Sequence, residues 1–294
     1  MQPSIPLLTT TDPRAIWSAL CASGGVLVRA ACAGEEDFES LTSPLLVPMV
    51  HHATSTIERD AVNADATTST VNKGMDEVPL HREGSYAPGS PDILALYCVR
   101  PASERGETTL CDGVLLRDAL PDGVRDFVDR SILMWRWTAP PERWQATLQA
   151  HSKDSALLRL DALRKRLPPW ERLETEFHGD DLEGRFFTPC VVPVKWGTRR
   201  SFCNSLLIHR FREASDYFAR HLLDVRLSDG TAFPESILEE LARVAEECTY
   251  EVTWREGDVL FIDNTRCMHG RRAFSDPARR ILIRMGHAVE ALQP

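Results

Sequence analysis

Apolar residues recur at helical spacing after Thr11-Asp12-Pro13, where Ile16, Trp17 and Leu20 share a face and Gly24-Gly25 closes the run. An acidic N-cap, a proline in the first turn and a terminal glycine predict a helix, and Val26-Leu27-Val28 behind it reads as a strand. Strand-like runs follow at 93–99, 108–111 and 132–137, then at 186–194 and 201–208, and last at 250–254, 259–263 and 281–289. Helical patterns fall at 142–151 and 154–166, a helical insert over about 140–170, and again at 234–247. Residues 51–79 are rich in Thr, Ser, Ala and Asn with little periodicity, which predicts a mobile segment of the kind that serves as a lid. The order is neither regular βαβ nor a repeat. It predicts an α+β chain, an antiparallel barrel or jelly roll decorated with helices, as one domain over residues 1–294.

Composition narrows the partners. The chain is 43% hydrophobic and 26% charged, the balance of a folded globular enzyme and not of a disordered, collagenous or coiled-coil chain. A net charge of −9 suits neither nucleic acid nor an anionic membrane, so small molecules are the expected partners, with homo-oligomerisation left open. Of 34 basic residues only Lys73, Lys153, Lys165 and Lys195 are lysines. Genomic composition would produce that excess without purpose, whereas planar, always-charged grips for carboxylates would produce it with one. No apolar run is long enough to cross a bilayer, and the start MQPSIPLLTTTDP lacks a secretory pattern. Eight cysteines without a Cys-x-x-Cys motif read as reduced, buried thiols of a cytoplasmic protein.

Metal-ligand spacing is the first chemical signal. Residues separated by one on a strand face the same side, so His-x-Asp/Glu sets an imidazole beside a carboxylate, and a distant His completes the facial triad of non-haem iron(II) oxygenases. His178-Gly179-Asp180 matches but sits in an acidic turn and reads as a solvated loop. His81-Arg82-Glu83 matches at the end of the polar segment, and alone it reads equally well as an exposed His beside an acid. In the C-terminal stretch a strand ends at Asp263-Asn264, His269-Gly270-Arg271 follows, and Arg280 and Arg284 come later. The two arginines are four apart, so on a strand they face one side, where an anion would have to pair with them. Trp135 and Trp137 also share a face, fit for core packing or for stacking on a substrate ring. His51-His52 reads as a polar loop pair.

Four runs occur in order: His81-Arg82-Glu83-Gly84-Ser85-Tyr86; Pro91-Asp92-Ile93 through Cys98; Gly106-Glu107-Thr108 through Gly113; and Gly257-Asp258-Val259 with Asp263-Asn264 and His269-Gly270-Arg271. Together they resemble the taurine dioxygenase and clavaminate synthase-like (TauD/TfdA) iron(II)/2-oxoglutarate oxygenases over about residues 70–290. The resemblance implies a double-stranded β-helix, iron held by His81, Glu83 and His269, and dioxygen and 2-oxoglutarate as cosubstrates. Arg280 would pair with the distal carboxylate of 2-oxoglutarate, Thr108 would donate a hydroxyl to it, and Arg284 would border both cosubstrate and substrate. Departures are visible. Glu83 replaces the commoner Asp ligand, as in clavaminate synthase and the asparagine and arginine hydroxylases of peptide-antibiotic pathways, and it argues against halogenases, which have Ala or Gly there. Arg105-Gly106 stands for a Gly-Gly pair, and Phe202-Cys203-Asn204 for two aromatics and Asn.

The implied reaction hydroxylates an unactivated C–H bond of an amino acid or its derivative, free or on a carrier protein, in specialised metabolism, with release of succinate and CO2. Candidate substrate contacts are Asn72, Ser85, Tyr86, Asn204 and Arg284. Desaturation or cyclisation is the alternative outcome and product mass decides it. A metal-binding jelly roll without catalysis is the alternative of another class, distinguished by the absence of a charge-transfer band with iron and 2-oxoglutarate.

Overall fold

The computed structural model describes residues 4–50, 59–211 and 224–290. His51-His52 and the first part of the expected lid lie outside the described residues. Helix α1 (Pro13–Ser23) forms where the sequence reads it: the Asp12 carboxylate accepts from the Ala15 amide, and Gly24 ends the helix at φ 75°, a value that glycine adopts freely.

Two antiparallel sheets carry the site. In the larger, β2 (Gly25–Val28), β15 (Val259–Asp263), β6 (Ile93–Arg100) and β17 (Arg280–Ala288) lie side by side. Short strands β1 (Leu7–Leu8), β3 (Leu46–Pro48) and β4 (Thr68–Thr70) extend it, β1 running parallel to β2. The smaller sheet has the order β14 (Thr249–Val252), β7 (Thr108–Asp112), β16 (Cys267–Arg271), β5 (Val78–His81). Leu94, Leu96, Leu260, Ile262, Ile281 and Ile283 of the first pack against Leu110, Val252, Trp254 and Cys267 of the second in one buried cluster. Each such aliphatic side chain contributes about 1.5–3 kcal/mol on full burial. Along the chain β4 to β7 alternate between the two sheets, and so do β15 to β17.

Outside the larger sheet, Ile16, Trp17 and Leu20 of α1 and Phe38 and Leu41 of α2 (Glu35–Thr42) pack on Val26, Val28, Tyr97 and Leu282. β17 therefore sends Ile281 and Ile283 between the sheets and Leu282 outward. A third layer holds β13 (Asp224–Leu227), β8 (Ile132–Ala139), β10 (Asp181–Pro189) and β9 (Arg172–His178). It shares a core with α3 (Gly113–Ala119), α5 (Pro141–Leu148), α6 (Lys153–Arg164) and α7 (Glu235–Glu247). The helix α4 (Asp122–Arg130) and the pair β11 (Val192–Pro193) and β12 (Arg200–Ser201) complete the described elements.

The structure corrects several expectations. Residues 59–79 are not a structureless lid: β4 pairs with β17 and β5 with β16, and Thr68 and Ser69 are buried. A threonine-rich run suits a strand without showing alternation. The run at 201–208 is a strand only at its start and becomes a 3-10 helix over Leu206–Phe211, because the Asn204 side chain accepts from the Leu206 amide and turns the chain. Strand β9 and helices α2, α3 and α4 have no counterpart in the sequence reading. Trp135 is buried in the third layer, and Trp137 packs there with its ring over Gly184, where a Cβ would clash. All eight cysteines are free thiols, and burial pushes Cys98 and Cys203 up to about 12.

Candidate metal centre and anion cavity

Antiparallel pairing sets His81, the last residue of β5, opposite His269 in the middle of β16, with ring centroids 4.3 Å apart. Glu83 follows two residues beyond His81, and its Oε2 lies 4.0 Å from His81 Nε2. One ligand atom from each of the three falls within 4.8 Å of the others, and all three residues are buried. His81 Nδ1 lies 2.8 Å from the Pro79 carbonyl. A carbonyl only accepts, so Nδ1 carries the proton and Nε2 keeps its lone pair. Burial lowers the pKa of His81, with Glu83 opposing, and burial lowers that of His269 further. Burial alone would raise Glu83, but the guanidinium of Arg59, which also donates to it, overcomes burial and holds the carboxyl at about 2. His269 Nδ1 is buried without a hydrogen-bond partner among the described residues. Two neutral imidazoles and one carboxylate are the donor set of the facial triad and fit a divalent iron.

Asn264 fixes the carboxylate ligand from behind. Its Oδ1 accepts from the Glu83 amide at 3.0 Å, while its Nδ2 donates to the Glu83 and Pro91 carbonyls at 3.0 and 2.8 Å. The Asp263-Asn264 pair singled out in the sequence thus ties the end of β15 to the ligand loop.

Beside the triad a cavity of about 40 Å³ is lined by Arg59, Asn72, Leu96, Thr108, Arg271, Arg279 and Ile283, together with the two histidines and their neighbours. Thr108 lines the cavity, and its hydroxyl accepts from Trp254 Nε1 at 3.1 Å, which leaves its own hydrogen free to donate. Arg280 is not brought there. It is half exposed and pairs with Glu35 at 2.8 Å. Arg284 lies on the outward side of β17 with Leu282, against Thr68 at 3.2 Å and Glu39 at 3.5 Å. Of the arginines 279, 280 and 284, the one that lines the cavity is Arg279, whose Nε donates to the Gly106 carbonyl at 3.0 Å. Burial, and then the nearby charge of Arg271, press its pKa down to about 10. Parity explains the exchange: Arg279, Ile281 and Ile283 follow one another at alternate positions, and the ladder to β6 shifts register between Arg280 and Ile281.

Of the expected substrate contacts, Asn72 lines the cavity, and its Oδ1 accepts from Arg59 Nε at 3.0 Å. Ser85, Tyr86 and Asn204 do not line it. Ser85 hydrogen-bonds Ser205 at 2.7 Å, Tyr86 packs on the third-layer core, and Asn204 donates to the Cys190 carbonyl at 2.9 Å. His178 is exposed at the end of β9, as the solvated-loop reading holds. Arg59, Arg271 and Arg279 are the residues that sequence reasoning missed. Arg59 gives no signal in the sequence, whereas Arg271 stands inside the His-Gly-Arg motif.

A buried two-histidine, one-carboxylate cluster beside an arginine-lined cavity is the donor set of the non-haem iron oxygenases. Residues 3–285 match the family described as taurine catabolism dioxygenase TauD, TfdA family. The chain belongs to that family and so to the iron(II)- and 2-oxoglutarate-dependent dioxygenases. It is 26% identical, over 95% of its length and 87% of the relative's, to a clavaminate synthase-like protein of Arabidopsis thaliana. Its fold is similar to that of the PvcB protein from Pseudomonas aeruginosa, with a TM-score of 0.59, 17% identity, and coverage of 99% of this chain and 88% of the other. It is likewise similar to a putative alpha-ketoglutarate-dependent taurine dioxygenase from Burkholderia xenovorans, with a TM-score of 0.62, 15% identity, and coverage of 98% and 89%. Among the described residues no helix is long and apolar enough to cross a membrane.

Proposed function

We propose that the chain is a single-domain, cytoplasmic dioxygenase that hydroxylates an unactivated C–H bond of an amino acid or amino-acid derivative in specialised metabolite biosynthesis, releasing succinate and CO2. The observation that carries the reading is the buried triad His81, Glu83 and His269 beside a cavity lined by Thr108 and Arg279. The alternation of β4 to β7 and β15 to β17 between two sheets supports a double-stranded β-helix as the scaffold. Glu83 as the carboxylate ligand supports an amino-acid substrate, by its resemblance to clavaminate synthase and the antibiotic-pathway hydroxylases.

Iron(II) with 2-oxoglutarate supplies, when bound, the activation of dioxygen coupled to decarboxylation. The protein's part is positional. His81 and His269 stay neutral through burial and so present lone pairs at neutral pH. Glu83 stays ionised and is held by Asn264. Arg279 would take the distal carboxylate of the cosubstrate in a two-pronged, charge-assisted contact, with the Thr108 hydroxyl donating beside it. The apolar walls from Leu96 and Ile283 exclude water from that end.

An anaerobic titration by visible absorbance tests the assignment. A charge-transfer band is expected from the parent protein with iron(II) and 2-oxoglutarate. Arg279→Ala is expected to need about tenfold more cosubstrate or worse, the cost of a lost charge-assisted pair. Arg280→Ala, with its exposed ion pair, is expected to change the requirement by less than about twofold. The reverse ranking would return the role to Arg280, and no band in the parent would remove the reading.

A further inference from the structure

Arg59 is the charged residue of the cavity for which the cosubstrate has no use. Its side chain is 2% exposed, Nη2 donates to Glu83 Oε2 at 2.9 Å, and Nε donates to Asn72 Oδ1 at 3.0 Å. Nη1 is buried with no hydrogen-bond partner among the described residues. A guanidinium nitrogen left in that state is costly unless an acceptor arrives. Arg59, Arg271 and Arg279 line the cavity, and among the described residues no acidic side chain does. 2-Oxoglutarate brings two carboxylates: Arg279 and Thr108 suit the distal one, and the other belongs with the metal. Neither is left for Arg59, and Glu83, its one ionic partner, is shared with the metal.

We propose that Arg59 grips the carboxylate of the substrate, and that the substrate is therefore a free carboxylic acid, not an acyl group carried as a thioester. The inference rests on the dioxygenase reading above and deepens it. A carrier-bound thioester and a peptide amide are both uncharged at the carbonyl, and neither answers a buried guanidinium as a carboxylate does. The placement also sets orientation. Glu83 and Asn72 hold two edges of the guanidinium plane beside the triad, so the remaining edge, with Nη1, would fasten the carboxylate end of the substrate close to the metal.

The test uses the full chain, loaded anaerobically with iron(II) and 2-oxoglutarate. The protein amino acids and their carboxamides are titrated in parallel, and the readout is the perturbation of the charge-transfer band. Thermal unfolding of each variant accompanies it. At least one free amino acid is expected to shift the band of the parent with an affinity about tenfold or more above that of its carboxamide. Arg59→Gln is expected to weaken that response about tenfold or more, and by a larger factor than it raises the requirement for 2-oxoglutarate. Arg59→Lys keeps the charge without the planar fork and is expected to fall between the two, which preserves the test should Arg59→Gln fold poorly.

Equal binding of acid and amide by the parent overturns the proposal, as does an unchanged response in both variants or no response to any free acid at millimolar concentration. A rise confined to the 2-oxoglutarate requirement in Arg59→Gln also overturns it, by giving the residue to the cosubstrate. If the parent forms no charge-transfer band, the dioxygenase reading fails first and this proposal falls with it.

Discussion

Asp263 carries the clearest pH signature among single residues. Its Oδ1 accepts from the Thr265 amide and hydroxyl at 2.8 and 2.7 Å, Oδ2 has no hydrogen-bond partner among the described residues, and burial outweighs the Thr265 bonds to raise the carboxyl to about 6 from 3.8. Between those values the unfolded chain has released a proton that the folded one retains, so stability falls as pH rises through the window and stays lowered above it. The cost is on the order of 2–3 kcal/mol. Asp263→Asn is expected to gain stability relative to the parent at neutral pH and to lose that advantage as pH falls toward 4, read by urea unfolding across the range. A difference that does not change with pH would contradict the raised carboxyl. At this scale the iron ligands are legible because their spacing is chemical: His-x-Glu on a strand end, then a distant His before Gly. The cosubstrate arginine is not, because Arg279 and Arg280 are neighbours of one type, and the register shift that chooses between them leaves no mark in composition.

Elements hold these residues to their tasks. Gly270 lies between His269 and Arg271, where the pairing of β16 with β5 shifts register. A Cβ there would stand 2.4 Å from the Val78 carbonyl and 2.7 Å from Thr109 Oγ1. Gly270→Ala must therefore push β5 away from β16, and with it His81 from His269. The expected result is a loss of about 1–3 kcal/mol in stability, together with weaker metal binding, read by thermal unfolding and by titration of iron(II) under nitrogen. Normal metal affinity in a destabilised variant would show that β5 and β16 can separate without moving the imidazoles. The core strands β6, β7, β15 and β17 were readable from apolar runs, since burial on both faces leaves little else. Strands β4 and β5 were not, because Thr68-Ser69-Thr70 and Val78-Pro79 take their order from the β17 and β16 edges and show no alternation of their own.

On the scale of the whole molecule, the cavity joins the two sheets: Leu96 and Ile283 come from the larger, His81, Thr108 and His269 from the smaller. Anything bound there couples the sheets and stabilises only the folded chain. Manganese(II) with an unreactive 2-oxoglutarate analogue, at about a hundredfold above the dissociation constant, is expected to add about 2.7 kcal/mol. That is a rise of roughly 5 °C or more in the unfolding midpoint, checked by calorimetry against each component alone. Additive effects of metal and analogue would argue against a shared site. The net charge of −9 gives no hint of this cationic cavity, because bulk charge averages over a surface on which many arginines meet acids in exposed pairs.

The pairing of β5 with β16 also bears on how the protein is made. His81 and its opposite number His269 belong to strands from the first third and the last tenth of the chain. A growing polypeptide on the ribosome holds the first histidine and Glu83 long before the second exists, so it cannot close the triad until His269, 188 residues after His81, has been added. The three-ligand site is therefore complete only once β16 has docked against β5.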